Sequence, residues 1–104
     1  MSTKREYYEF ICEQLSDCDA VSFRPMMGEY ILYYEGKVVG GLYDDRFLIK
    51  PTKGAKALLP SASLASPYEG GKDMLLVEDV EDRELLKRLL AAVAADLPAG
   101  KKKK

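Results

Sequence analysis

The sequence predicts an α+β domain, a two-layer sandwich in which a mainly antiparallel sheet of about five strands is backed by an N-terminal and a C-terminal helix. Three observations lead there. Apolar residues recur at helical spacing near both ends of the chain. Between them, short alternating runs are separated by two-residue turn signals rather than by helices, so successive strands pair antiparallel. The length of 104 residues suits one hydrophobic core. The expected order is α-β-β-β-β-α-β-α, with residues 1–98 forming one domain and 99–104 a disordered, lysine-rich tail.

The first helix is expected to begin at a capping box, Thr3 with Glu6, in which hydroxyl and carboxylate satisfy two orphan amides. Tyr7, Phe10, Ile11 and Leu15 then line one face, and Ser16, Asp17 and Asp19 end it. Val21–Met26 reads as a short strand that Pro25 confines to an edge or a bend. Met26, Met27, Gly28 and Glu29 turn the chain into a central strand over 30–34, apolar on both faces. Glu35 and Gly36 fit a two-residue hairpin into a strand over 38–43. Gly40 and Gly41 inside that strand mark a bulge, a sharp twist or a close approach to the backbone. Asp44 and Asp45 turn into a strand over 46–50.

From 51 to 72 the chain is rich in Pro, Gly, Ser and Ala. Thr52 is expected to cap a short helix over 53–59, and the rest reads as a surface loop through Tyr68. Met74–Val77 is the final strand. Asp79 is the expected cap of the last helix, whose apolar stripe is Leu86, Leu89, Leu90, Val93 and Leu97. Pro98 and Gly100 stop it.

With 47% hydrophobic and 32% charged residues the composition is that of a soluble globular protein. No apolar run approaches the roughly 20 residues of a membrane helix, and the charged N-terminus lacks a signal-peptide core, so a cytoplasmic protein is expected. The formal charge is -1, but without Lys101, Lys102, Lys103 and Lys104 twelve basic residues face seventeen acidic ones. An acidic body argues against DNA binding, which is left to weak contacts of the lysine tail.

The chain has no histidine and two cysteines, Cys12 and Cys18, read as free thiols. Histidine triads and the common zinc sites are thereby excluded, the glycine pairs at Gly40 and Gly70 lack the spacing and helix of a phosphate loop, and no cofactor or enzymatic activity is expected. Asp44 with Asp45, and Asp79 with Glu81 and Asp82, read as turn and cap residues rather than cation ligands. Tyr30, Tyr33, Tyr34 and Tyr43 offer either core packing or an aromatic partner surface. Arg24, Met26, Met27, Gly28 and Glu29 form the most distinctive run. Its guanidinium beside adaptable methionines suits an acidic ligand or a partner helix; alternatively Arg24 pairs with Glu29 while the methionines fill core gaps.

Arg24 to Tyr30 (RPMMGEY), Leu32 to Lys37 (LYYEGK), Asp44, Asp45, Arg46 and Phe47, then Lys50, Pro51 and Thr52 together resemble the N-terminal domain of the TfoX/Sxy regulators of bacterial competence. The likeness extends through Pro67, Tyr68 and the leucine-rich last helix. It implies a fold similar to secretion-chaperone-like domains, frequent homodimerisation, and transcriptional control of competence genes alongside the cyclic-AMP receptor protein. It also implies a module without the C-terminal domain of the full-length regulators. The expected function is therefore non-enzymatic and rests on protein contacts. The alternative is a small-ligand-binding domain with its pocket between Gly40, Gly41, the Met26 turn and the 51–72 loop. Arg24, Met26, Met27, Gly28, Glu29, Gly40, Gly41 and Tyr68 are the candidate contact residues.

Overall fold

The computed structural model describes residues 3–67 and 70–97. Tyr68, Pro98, Gly100 and the four terminal lysines lie outside the described residues. The chain runs α1 (Arg5–Gln14), β1 (Val21–Met26), β2 (Glu29–Tyr34), β3 (Lys37–Leu42), β4 (Phe47–Ile49), α2 (Lys53–Leu58), β5 (Leu64–Ala65), β6 (Met74–Val77) and α3 (Arg83–Asp96). The fold is α+β, with one sheet in the order β1-β2-β3-β4-β6-β5 and every neighbouring pair antiparallel. Six strands replace the expected five. The addition, β5, has only two residues, Leu64 opposite Leu75 and Ala65 opposite Met74. The segment SASLAS alternates only through the small Ala62 to Leu64, a weak strand signal, and its extended state comes from pairing with β6.

Turn chemistry sets the meander of β1 to β4. Met27 and Gly28, Glu35 and Gly36, and Asp44 and Asp45 all have positive φ, which makes three successive two-residue turns of the mirror-image type that matches strand twist. Register then sorts the side chains. Tyr30, Leu42, Phe47 and Val77 align across four strands, as do Leu32, Gly40, Ile49 and Leu75. Both rows face the helices, where Ile11, Leu15, Ala55, Leu86, Leu89, Leu90 and Val93 complete the buried core. Tyr8 of α1 lies flat on Tyr30, with centroids 3.9 Å apart, and meets Phe23 edge-on at 5.4 Å.

Gly40 and Gly41 meet two of the expectations for such a pair. The register slips at Leu32/Tyr33, leaving Val39 as the extra residue of a bulge, and its carbonyl accepts from Lys50 N at 2.9 Å. A Cβ on Gly40 would strike the Leu48 carbonyl oxygen and lie 2.8 Å from Ile49 Cα. One on Gly41 would lie 2.6 Å from the Tyr30 carbonyl oxygen and 2.7 Å from the Tyr43 ring. What approaches closely is therefore the protein itself: the β4 backbone at Gly40 and a tyrosine ring at Gly41.

The helices are tied by specific polar contacts. Gly54 N donates to Asp96 Oδ2 at 2.7 Å, and a Cβ there would meet Ala92 Cβ at 3.0 Å, so α2 rests directly on α3. The buried Gln14 amide donates to the Val80 carbonyl at 2.9 Å. Lys37 Nζ donates to the Ala94 carbonyl at 3.0 Å, which also accepts from Leu97 N, and so places a positive charge at the negative end of α3.

Three local expectations are corrected. Thr3 does not cap α1: Lys4 holds the cap position with no side-chain bond, and the Thr3 hydroxyl is turned toward Glu29 instead. Asp82, not Asp79, caps α3, accepting from Leu85 N at 3.1 Å; the Asp79 carbonyl instead closes a turn with Asp82 N, which delays the helix. Phe10 remains exposed because Tyr7, Tyr8, Ile11 and Leu15 form the face that packs on the core. No helix among the described residues is long and apolar enough to cross a membrane.

Gly40→Ala is expected to cost about 2–3 kcal/mol through overpacking against β4, whereas Gly36→Asn, at a turn position with nothing within 4 Å, stays within about 1 kcal/mol of the parent. Urea denaturation of both variants checks this. Burial holds the Tyr7 hydroxyl above its ordinary pKa of 10.0, with Asp45 adding to the shift. Burial does the same to Tyr34, helped by Cys18 and Glu35. The folded chain thus keeps these protons longer than the unfolded chain, so their stabilisation is complete below pH 10.0 and disappears as pH rises through the folded values. Urea midpoints measured across that range should fall, and less steeply in Tyr7→Phe.

Candidate functional site

Two separate surfaces contain most of the sequence-predicted residues. The first is the β1–β2 hairpin tip. Met27 is 93% exposed and Met26 52%, so neither methionine fills the core, correcting that reading. Met27 also has φ 52°, a left-handed conformation that costs a residue with a side chain about 1 kcal/mol or more. Arg24 does not pair with Glu29. Its guanidinium lies 5.9 Å from the Tyr33 ring centroid, on the face of the sheet turned away from the helices. Alternation explains the separation of the tyrosines: Tyr30 and Tyr34 pack on the core while Tyr33 points the other way.

Glu29 is occupied elsewhere. Its Oε1 accepts from the Thr3 hydroxyl at 2.8 Å and from Asp44 N at 3.0 Å. Thr3 Oγ1 in turn accepts from Asp45 N at 3.3 Å, Thr3 N donates to the Gly28 carbonyl at 3.0 Å, and Asp45 Oδ1 accepts from Lys4 N at 2.7 Å. The N-terminal segment therefore latches the β1–β2 turn to the β3–β4 turn. Gly28, Glu29, Asp44 and Asp45 meet there although 15 residues separate Glu29 from Asp44. Thr3 carries no local signal for this role, since its spacing to Glu6 imitates a helix cap.

The second surface is an open cleft of about 650 Å³ beside the start of β3 and the end of β4. Val38, Tyr43, Pro51, Met74 and Leu97 supply apolar walls, and Gly40, Gly70 and Gly71 leave stretches without side chains. Lys50, Lys72, Thr52 and Asp73 are its polar groups. The Met26 turn does not line it and neither does Gly41, which the Tyr43 ring covers. The expected pocket is thus confined to Gly40 and the 51–72 loop.

Burial pushes the Cys12 thiol above its ordinary range, with a Tyr8 hydrogen bond opposing the shift, so the thiolate is scarce at neutral pH. Cys18 is likewise a free cysteine. Among the described residues no three acidic or sulfur side chains are grouped as a metal site would require.

Glu29→Ala should cost about 2 kcal/mol, because Thr3 Oγ1 and Asp44 N both lose a part-buried acceptor. Hydrogen exchange is the second readout: the Gly28 to Tyr30 and Asp44 to Arg46 amides should exchange faster together, while those of α3 keep their order.

Comparison with known proteins adds the lineage. The family model described as TfoX N-terminal domain matches residues 13–96. A protein of Spirochaeta aurantia, described as an uncharacterized 12.7 kDa protein in the trpE 5′ region, is 38% identical over 105 residues, covering 100% of this chain and 91% of its own length. No solved structure gives a significant match. With the family model spanning most of the chain, and the RPMMGEY turn, the Asp44 turn and the leucine stripe of α3 in the expected elements, the chain belongs to the TfoX N-terminal domain family.

Proposed function

We propose that this domain is a non-enzymatic module that acts by protein contact in transcriptional regulation connected with competence, as a homodimer that engages a component or regulator of the transcription machinery. The observation that supports this reading most is the exposed Met26–Met27 tip. Two large apolar side chains stand in solvent on a turn that the Glu29 latch fixes from behind. Methionine is suited to partner surfaces because its unbranched, polarizable chain adapts to varied shapes. Arg24 over Tyr33 extends the same surface with a residue pair enriched at binding hot spots.

The β1 backbone edge is a poorer docking element. In a hairpin closed by two residues, Met26, Arg24 and Ser22 turn their backbone groups inward to β2, and Val21, Phe23 and Pro25 turn theirs outward. Pro25 has no N–H to offer and Val21 N already donates to the Cys18 carbonyl, so strand addition by a partner finds Phe23 N as the remaining donor of that row. The proposed contact therefore runs through side chains.

A tagged pull-down from nuclease-treated cells of the source bacterium tests the reading, with light scattering to measure the homodimer. Stoichiometric capture of a transcription factor or polymerase subunit is expected, and recovery of the chain alone would refute it. Met27→Asn separates structure from contact. Asn tolerates the left-handed conformation, so the variant should gain about 0.5–1 kcal/mol in urea denaturation while its capture of the partner falls.

A further inference from the structure

We infer that the cleft between the start of β3 and the 70–74 segment binds a small organic monocarboxylate with an apolar body, its carboxylate held by Lys50 and Lys72. This site is separate from the methionine tip, and the inference does not depend on the partner reading. The volume of about 650 Å³ lies within the range of small-molecule sites. Its walls are those of such sites: Val38, Pro51, Met74 and Leu97 are apolar, and Tyr43 presents a ring.

The ligand's charge follows from the lysines. Lys50 is half-buried and Lys72 exposed at the rim, and among the described residues neither makes a salt bridge or a side-chain hydrogen bond. A partly desolvated ammonium beside apolar walls gains from a counter-ion that the fold itself does not supply. Other partly buried polar groups of this chain do have partners: Lys37 reaches the Ala94 carbonyl, Glu29 has two donors, and Gln14 has the Val80 carbonyl. Lys50 has no such partner.

Asp73 limits how much negative charge fits. Its carboxylate also lines the cleft, accepting from Ser66 Oγ at 3.0 Å, and would repel a dianion more strongly than a monoanion. A single carboxylate balances the two lysines against Asp73, whereas a phosphate would bring excess charge and nothing for the apolar walls. The Thr52 hydroxyl, which already accepts from Ala55 N, retains its own hydrogen to donate to a carboxylate oxygen.

The test is a titration of the ¹⁵N-labelled protein with octanoate, followed by amide shifts in two-dimensional NMR. Saturable shifts centred on Val38, Gly40, Gly71 and Lys72 are expected, with the Met27 and Gly28 amides unmoved. Octanamide, of the same shape without charge, and inorganic phosphate, charged without an apolar body, should each bind at least about tenfold more weakly. Lys50→Gln should weaken octanoate by a similar factor. If that variant fails to fold, Lys72→Gln and the octanamide comparison on the parent protein decide the matter. Absence of saturation by octanoate up to about 10 mM, or equal binding of octanamide or phosphate, overturns the inference.

Discussion

One carboxylate oxygen organises the front of this domain. Glu29 Oε1 accepts from Thr3 of the N-terminal segment and from the Asp44 amide of a neighbouring turn, so it fixes three pieces of chain at a single point. The cost of partly burying a carboxylate is offset by charge-assisted bonds, which are stronger than neutral ones. The consequences spread along the strands. With the β1–β2 and β3–β4 turns held together, the register of the intervening strands is held at the same end, and α1 enters from a fixed origin at Lys4. Tyr8 can then settle on Tyr30 and Ile11 can reach the core.

At the other end the constraint is steric. The bulge at Val39 and the bare Cα of Gly40 let β4 press against β3 where any side chain would collide. Lys37, three residues earlier, ties the beginning of β3 to the end of α3. Helices α2 and α3 are joined through a similar device, Gly54 against Ala92, so close backbone contact recurs where layers or strands meet without large side chains. Surface ion pairs from α1 and the turn after it to α3, Glu13 with Arg83 and Asp17 with Lys87, add orientation and little energy.

Much of this was legible in the sequence because it is local or periodic. The bounds of β1 and β6, the Thr52 cap, the Glu35–Gly36 turn and the leucine stripe of α3 depend on residues within one or two turns of each other. The misreadings concern side chains with two possible uses. Thr3 stands at cap spacing from Glu6 but is drawn away by Glu29, a partner 26 residues distant. Asp79 and Asp82 both look like caps, and the turn that the Asp79 carbonyl closes decides for Asp82. Met26 and Met27 resemble core filler by composition, whereas a turn with both residues left-handed projects Met27 outward. The glycine pair was readable as a close approach, yet not what approaches, since Leu48 and Tyr43 come from register and ring rotamer. Lys50 was visible only as one member of a run; its lack of a counter-ion is a property of the assembled cleft.

The methionine tip and the cleft share no lining residue, so a protein partner and a small molecule would not compete for the same atoms. The two surfaces are nonetheless joined at adjacent residues: the Tyr43 ring lines the cleft, and Asp44 beside it donates its amide to Glu29 of the latch. That turn, rather than the glycine pair of β3, is the shortest covalent span between them.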